Sequence, residues 1–417
     1  MTTTPAAPVE PAPGAPRILA AFSEPAFRLL WVNTFLFALV QSTQRFTFVW
    51  LVLELGRGAD ASGLVLFAIG LPVFLVVLPA GAMSDRVDRR LLLVSSQGGA
   101  LLMTALTALL VGTDNASIPV TLALAFGLGA ALAFGQPVRT AVLPSLVPRE
   151  RLMNAIVLTT IGMNISMIAG PALGGAAIAL WGLGGAFAAQ AVLYAIGLVV
   201  LLPLKLPVVT DRPARRKLRV EIAEGMRFVG RHREIRALFV LLAASGILML
   251  GPYQALMPKI ARDQLGRDAL GASLLFVFLG LGMACTSLWL AARRDLSNKG
   301  AWFAGFLVIG GLTQSALGLS TVYVLSAALM FFWGVGGGLY MNLNQTLIQS
   351  HTPNEVMGRV MSLHTLAMVG LSPIGALLGG VVATAAGAPA TVAAAGVIMS
   401  VIAVIVLVRV DSIRTMS

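Results

Sequence analysis

Residues 61–111 read ASGLVLFAIGLPVFLVVLPAGAM, then SDRVDRR, then LLLVSSQGGALLMTALTALLV. The two outer blocks have the length that a helix needs to cross a hydrocarbon core, about 20 mostly apolar residues. The seven residues between them carry three arginines and two aspartates, the composition of a turn in water or lipid headgroups. This stretch is therefore a hairpin of two membrane-crossing helices. The pattern does not alternate in the way a barrel strand would, and only helices and closed barrels satisfy every backbone donor in lipid.

The same reading extends in both directions. Spanning runs occur at 27–53, 61–83, 91–111, 118–142, 152–180 and 184–204, then at 237–258, 270–292, 301–319, 322–343, 360–386 and 389–408. The composition agrees, with 58% hydrophobic and 11% charged residues and a mean hydropathy of +0.89. A soluble domain carries roughly 25% charged residues. Lipid must cover what water does not. The net charge of +12 does not point to nucleic acid, because the basic residues form short clusters between apolar runs and no continuous basic face.

The distribution of Lys and Arg sets the expected orientation. With the N-terminus inside, 24 of the 29 fall on cytoplasmic segments and four outside, with Arg45 within a helix. The expectation is a multi-pass protein of a bacterial inner membrane with both termini cytoplasmic. Residues 1–24 read as a disordered tail without a signal peptide, 25–206 as a first six-helix bundle and 207–236 as a basic linker. Residues 237–409 read as a second bundle and 410–417 as a tail. Within the linker, 220–229 has the pattern of an amphipathic helix lying on the membrane surface. The lone Cys285 offers no disulfide and no metal cluster, and reads as a small packing residue.

An internal repeat divides the chain. At one offset of 205 residues, Gly129 pairs with Gly334, Pro148 with Pro353 and Glu150 with Glu355. Gly170, Leu173, Gly174 and Gly175 pair in the same way with Gly375, Leu378, Gly379 and Gly380. An even number of helices separates the copies, so the repeats run parallel. That arrangement puts a binding site at their interface, near the bilayer midplane.

The turn from Gly81 through Asp85, Arg86 and Asp88 to Arg89 and Arg90 resembles the G-x-x-x-D-R-x-x-R-R loop of the major facilitator superfamily. With twelve helices in two parallel-repeat bundles, the resemblance implies an all-α transporter of that fold. It also implies that Asp85 braces a gate near Gly358-Arg359-Val360, and we expect it to pair with Arg139. The fifth span holds Gly170-Pro171-Ala172-Leu173-Gly174-Gly175, similar to the G-P-x-x-G-G end of an exporter-type motif. Three further strings resemble the enterobactin-exporter and macrolide-efflux branch. They begin at Trp50, Pro137 and Glu224. The resemblance implies export of small amphiphilic molecules, drug-like compounds or siderophores, coupled to H+, by a monomer without a cofactor. Alternatives are a lipid or lysolipid flippase, and a non-transporting receptor or scaffold.

Polar groups in lipid are costly and should face a cavity. On the first span Asn33, Phe37, Gln41, Gln44, Arg45 and Phe48 form a stripe at helical spacing. Burying Arg45 would cost about 2.5–3.5 kcal/mol on insertion scales. It therefore needs a counter-charge such as Glu54, a wet cavity or an anionic ligand. Further candidate substrate contacts are Asn164, Gln254, Asn344, Gln345 and His364. All seventeen acids fall in loops, tails or helix ends, which leaves Glu54 and His364 as candidate proton carriers. The chain has no P-loop, HExxH, zinc spacing or G-x-S-x-G elbow, so neither an enzyme nor a metal site is expected.

Overall fold

The computed structural model describes residues 17–56, 58–83, 88–204, 206, 218–292 and 298–415. Asp85, Arg86 and residues 207–217 of the linker lie outside the described residues. After a short turn at Arg17–Ser23, helices α1 (Pro25–Glu54), α2 (Ala59–Met83), α3 (Arg89–Gly112), α4 (Ile118–Val142) and α5 (Arg149–Leu201) make the first half. Next come α6 (Leu218–Arg231), α7 (Arg233–Ser245) and α8 (Gly251–Asp263). The second half continues with α9 (Ala269–Ala291), α10 (Lys299–Leu319), α11 (Tyr323–Ser350), α12 (Asn354–Ala386), α13 (Ala388–Arg409) and α14 (Asp411–Thr415). A single π-type turn, Gly246–Leu250, joins α7 to α8, so the two make one crossing.

Ten helical runs among the described residues are long and apolar enough to cross a membrane. One of them, α5, has 53 residues and would extend about 80 Å if straight. It folds back at Gly182, whose φ of 67° a side chain with a Cβ rarely adopts. Its two arms run in opposite senses along α1. Trp31 reaches Leu158 and Thr43 reaches Gly170, whereas Asn33 reaches Gly197 and Gln190 reaches back to Thr47. Counting both arms and adding α2 gives the twelve crossings read from the sequence. The linker helix, α6, runs a few residues beyond the expected 220–229.

The repeat recurs in the packing. Pro148 and Pro353 each sit at the N-cap of a helix, α5 and α12, with Glu150 and Glu355 in the first turns. Gly129 of α4 leaves room only for the backbone of Ile69 on α2, and Gly334 of α11 does the same for Leu279 on α9. Gly170 is pressed on Ser42 and Thr43 of α1, as Gly375 is on Gly246 and Ile247 beside α8. The two halves meet along two seams. Gly175 of α5 touches Ser273 and Ala269 of α9, and Gly380 of α12 touches Gly63 and Ala59 of α2.

The α5–α9 seam is closed toward one end only. On α5 and α9 contact continues to Ile168 against Gly280. Beyond it, the side chains on the same helix faces, Ile161 and Val157 on α5 and Ser287 on α9, are exposed. A cleft thus opens toward the end of the molecule where α1 begins and α13 ends. Cys285 lies exposed on this stretch of α9, so the packing role expected for it does not hold.

Replacing Gly129 or Gly334 by leucine forces the α2–α4 or α9–α11 backbones apart. Overpacking of this kind costs about 1–3 kcal/mol. Thermal unfolding in detergent is expected to shift down accordingly, while Gly98→Ala, with open space at its Cβ, leaves the midpoint unchanged.

Candidate functional site

α1 organises the site because it is the most enclosed helix. Its apolar stretch is 72% buried, against 28% for that of α3. A polar side chain on α1 therefore faces either the interior of the first half or the cleft between halves.

The interior face carries Asn33, Phe37, Gln44 and Phe48, all buried. Asn33 donates from Nδ2 to Gly197 O at 2.8 Å and accepts from Arg139 Nε at 3.1 Å. Arg139, on α4, also donates from Nη2 to Gln97 Oε1 at 2.8 Å, and its guanidinium lies 3.7 Å over the Phe37 ring. Gln97 of α3 donates in turn to Tyr194 O, and the Tyr194 hydroxyl donates to Gln44 Oε1 at 2.9 Å. Gln44 completes the chain by donating to Thr104 at 2.7 Å. Arg139 is 2% exposed and its Nη1 has no hydrogen-bond partner. Gly135, one turn earlier, makes room for it, because a Cβ there would sit 2.6 Å from Nη1. A guanidinium is thus held by two amides and an aromatic face inside four crossings.

The cleft face carries Arg45, which is exposed, and Gln41, which is half-buried. Glu54 does not meet Arg45, since its carboxylate accepts from Trp50 Nε1 at 2.7 Å. Immediately past Arg45 the chain is sealed, and every residue from Phe46 to Leu53 is buried. The seal is a run of rings crossing both halves. Trp50 stacks on Phe46 at 6.0 Å between centroids, and Phe46 meets Phe276 of α9 edge-on at 5.7 Å. Phe276 meets Tyr253 of α8 at 5.1 Å, and Tyr253 meets Trp333 of α11 at 4.7 Å. Arg45 therefore stands at the blind end of the cleft, under an aromatic plug.

The remaining candidates are dispersed. Asn164 is exposed on the cleft face of α5, Gln345 is exposed on α11, and Gln254 is half-buried beside Tyr253. Asn344 and His364 are buried and bonded to each other, His364 Nε2 to Asn344 Oδ1 at 2.8 Å. Gln44 belongs to the interior chain and not to the cleft. Gly170 and Gly174 pack against α1 and Gly175 against α9, and Pro171 is buried within α5. Gly81 lies in the last turn of α2. Arg89 and Arg90 donate to the Ala141 and Leu202 carbonyls. Arg359, at the expected bracing point, pairs with Glu224 of α6 at 2.9 Å. Gln97, Tyr194, Tyr253, Phe276 and Trp333 were not legible in the sequence. For Gln97 the available signal was a long amide in an apolar run.

A family described as "Transmembrane secretion effector" matches residues 17–416 of this chain. The multidrug efflux pump Tap of Mycolicibacterium fortuitum is 30% identical over 377 residues, covering 86% of this chain and 89% of that protein. The enterobactin exporter EntS of Shigella boydii is 27% identical, covering 76% of each. The staphyloferrin A transporter of Staphylococcus aureus is 25% identical, covering 79% and 82%. Among solved structures, the nucleoside transporter NupG superposes with a TM-score of 0.70 at 12% identity, over 93% of this chain and 98% of that one.

Removing one partner of a buried polar group costs about 1–3 kcal/mol. Asn33→Ala and Gln97→Ala are each expected to destabilise by that amount. Combined with Arg139→Met, each should cost clearly less than the sum of the single changes in a double-mutant cycle by thermal unfolding.

Proposed function

This chain belongs to the transmembrane secretion effector family of the major facilitator superfamily, and from that premise we propose the cargo, coupling and orientation of its transport cycle. It is a multi-pass membrane transporter of the efflux type and not an enzyme. Its cargo is an amphiphilic small molecule, drug-like or siderophore-like, with an anionic group that meets Arg45. The observation that carries this reading is the exposed guanidinium at the blind end of the cleft, with an apolar, aromatic ceiling. A partly desolvated cation beside rings favours a ligand with one negative and one greasy part.

Both termini lie on the cytoplasmic side of a bacterial inner membrane, as the bias in Lys and Arg supports. The cleft then opens inward, and the plug of Phe46, Phe276, Tyr253 and Trp333 closes the outer end. Cargo leaves when the plug parts and the inner halves of α5 and α9 close. In that state the orphan Nη1 of Arg139 is available to Asp85, on the turn after α2. A monomer suffices, because the cleft is bounded by helices of one chain. Coupling is to H+, and His364 carries it. It is a titratable side chain enclosed within α12, and among the described residues no acid lies midway along a crossing.

In proteoliposomes with an imposed proton gradient, the protein is expected to drive an anionic fluorescent amphiphile against its concentration. Arg45→Gln should lower that rate about tenfold, a loss of 1.4 kcal/mol in binding, and lower the rate for a neutral analogue less. His364→Gln should leave downhill exchange intact and abolish gradient-driven accumulation. Wild-type movement that ignores the gradient would instead mark a flippase or facilitator.

Reversing charge at Asp85 or Arg139 alone is expected to stop transport, and the exchange Asp85→Arg/Arg139→Asp to restore part of it. The absence of any rescue would remove the pair from the cycle.

A further inference from the structure

α7 begins and α13 ends at the same corner of the second half. Arg233, Arg236 and Arg409 surround a recess of about 330 Å³ there, floored by Ala237, Val240 and Val406. Both helices are membrane crossings, so the recess lies at headgroup depth whichever way the chain is oriented. All three arginines are exposed. Arg233 donates to Arg409 O at 2.5 Å and Arg236 to Gly230 O at 3.2 Å, so the partners found among the described residues are backbone carbonyls and take few of the five N–H donors on each guanidinium. Arg414, close by on α14, donates to Leu407 O.

Two acids share this corner. Glu234 accepts from Ser412 and lies within electrostatic reach of Arg233 and His351, and Asp411 opens α14. Four guanidiniums against two carboxylates leave the corner positive. The apolar floor runs down the flank of α7, where Val240 is 47% exposed. A cationic rim over an apolar flank recognises a molecule with an anionic head and hydrocarbon below it.

We propose that Arg233, Arg236 and Arg409 bind the phosphodiester headgroup of an anionic glycerophospholipid, whose acyl chain lies along Val240 and Val406. Such a lipid would tie the start of the second half, directly after α6, to the end of α13.

The test uses the full chain in neutral detergent, with dioleoyl phosphatidylglycerol, dioleoyl phosphatidylcholine or inorganic phosphate added separately. Phosphatidylglycerol is expected to raise the unfolding midpoint and to stay bound at one per protein by native mass spectrometry. Phosphatidylcholine and phosphate should do neither. With about 1 kcal/mol per arginine near an anionic headgroup, Arg236→Gln/Arg409→Gln should weaken retention roughly thirtyfold. Arg262→Gln, at the opposite end of the same crossing, should leave it unchanged. If the double variant does not fold, Arg409→Glu alone, at the exposed end of α13, reads the same loss. Retention unaffected by either variant would overturn the site. Equal stabilisation by inorganic phosphate would assign it to a soluble anion and overturn the lipid.

Discussion

Helices in hydrocarbon gain nothing by hiding apolar surface from one another, because lipid is as apolar as they are. What holds them is close backbone approach, and small residues permit it. In this chain Gly174 and Gly175 are adjacent, roughly 100° apart around α5. Gly174 packs on Thr43 and Thr47 of α1, within its own half, and Gly175 packs on Ser273 of α9, in the other. On α12, Gly379 packs on Pro252 of α8 and Gly380 on Gly63 of α2. The two helices that build each half are therefore also the ones that join the halves. A movement at either seam is passed directly to α1 or α8, which border the cleft.

Against that frame, two intramembrane arginines are treated in opposite ways. Arg139 is withdrawn from lipid and cleft alike, and neutral amides and a ring face take the place of water. A buried charge without a carboxylate is costly unless its donors are met, and the one donor left unmet, Nη1, makes this arrangement less than optimal as a resting place. Arg45 is left open at the cleft end, where water or an anion can meet it. On the proposed reading, one cation serves a state of the protein and the other recognises cargo.

The parts legible in the sequence were those that depend on period and composition. Twelve runs of spanning length, the break between 180 and 184 and the amphipathic 220–229 segment follow from apolar patterning alone. The repeat did as well, because paired glycines leave a signature at fixed offset. Which face of a helix looks inward depends on how neighbours rotate it, and this hid the interior chain. Gln44 and Arg45 are consecutive and both polar, yet they part by about a quarter turn, one toward Tyr194 and the other into the cleft. Arg139 near a helix end suggested Asp85 as partner, a residue outside those described, and among the described residues its side chain reaches α1 and α3. Cys285 looked like packing because its run is apolar, but it sits on the exposed face of α9 with Leu274, Phe278 and Leu281.

The duplicated and the unduplicated residues divide the labour. At the 205-residue offset the framework positions recur as glycine for glycine, at 129 and 334, 174 and 379, and 175 and 380. The positions proposed to act on cargo or gate do not recur as the same residue. Arg45 corresponds to Leu250, Phe46 to Gly251, Trp50 to Ala255 and Arg139 to Asn344. A frame with two equivalent seams supports closure at either end with similar backbone contacts. Of the plug, only Tyr253 has an aromatic counterpart, Phe48, since Phe46, Trp50, Phe276 and Trp333 correspond to Gly251, Ala255, Leu71 and Leu128. On the proposed reading, a small molecule bound against Arg45 would touch the plug's underside and little of the duplicated frame. If cargo binds as proposed, its binding energy would be spent at the plug, and a ligand shifts an equilibrium only by binding two states differently.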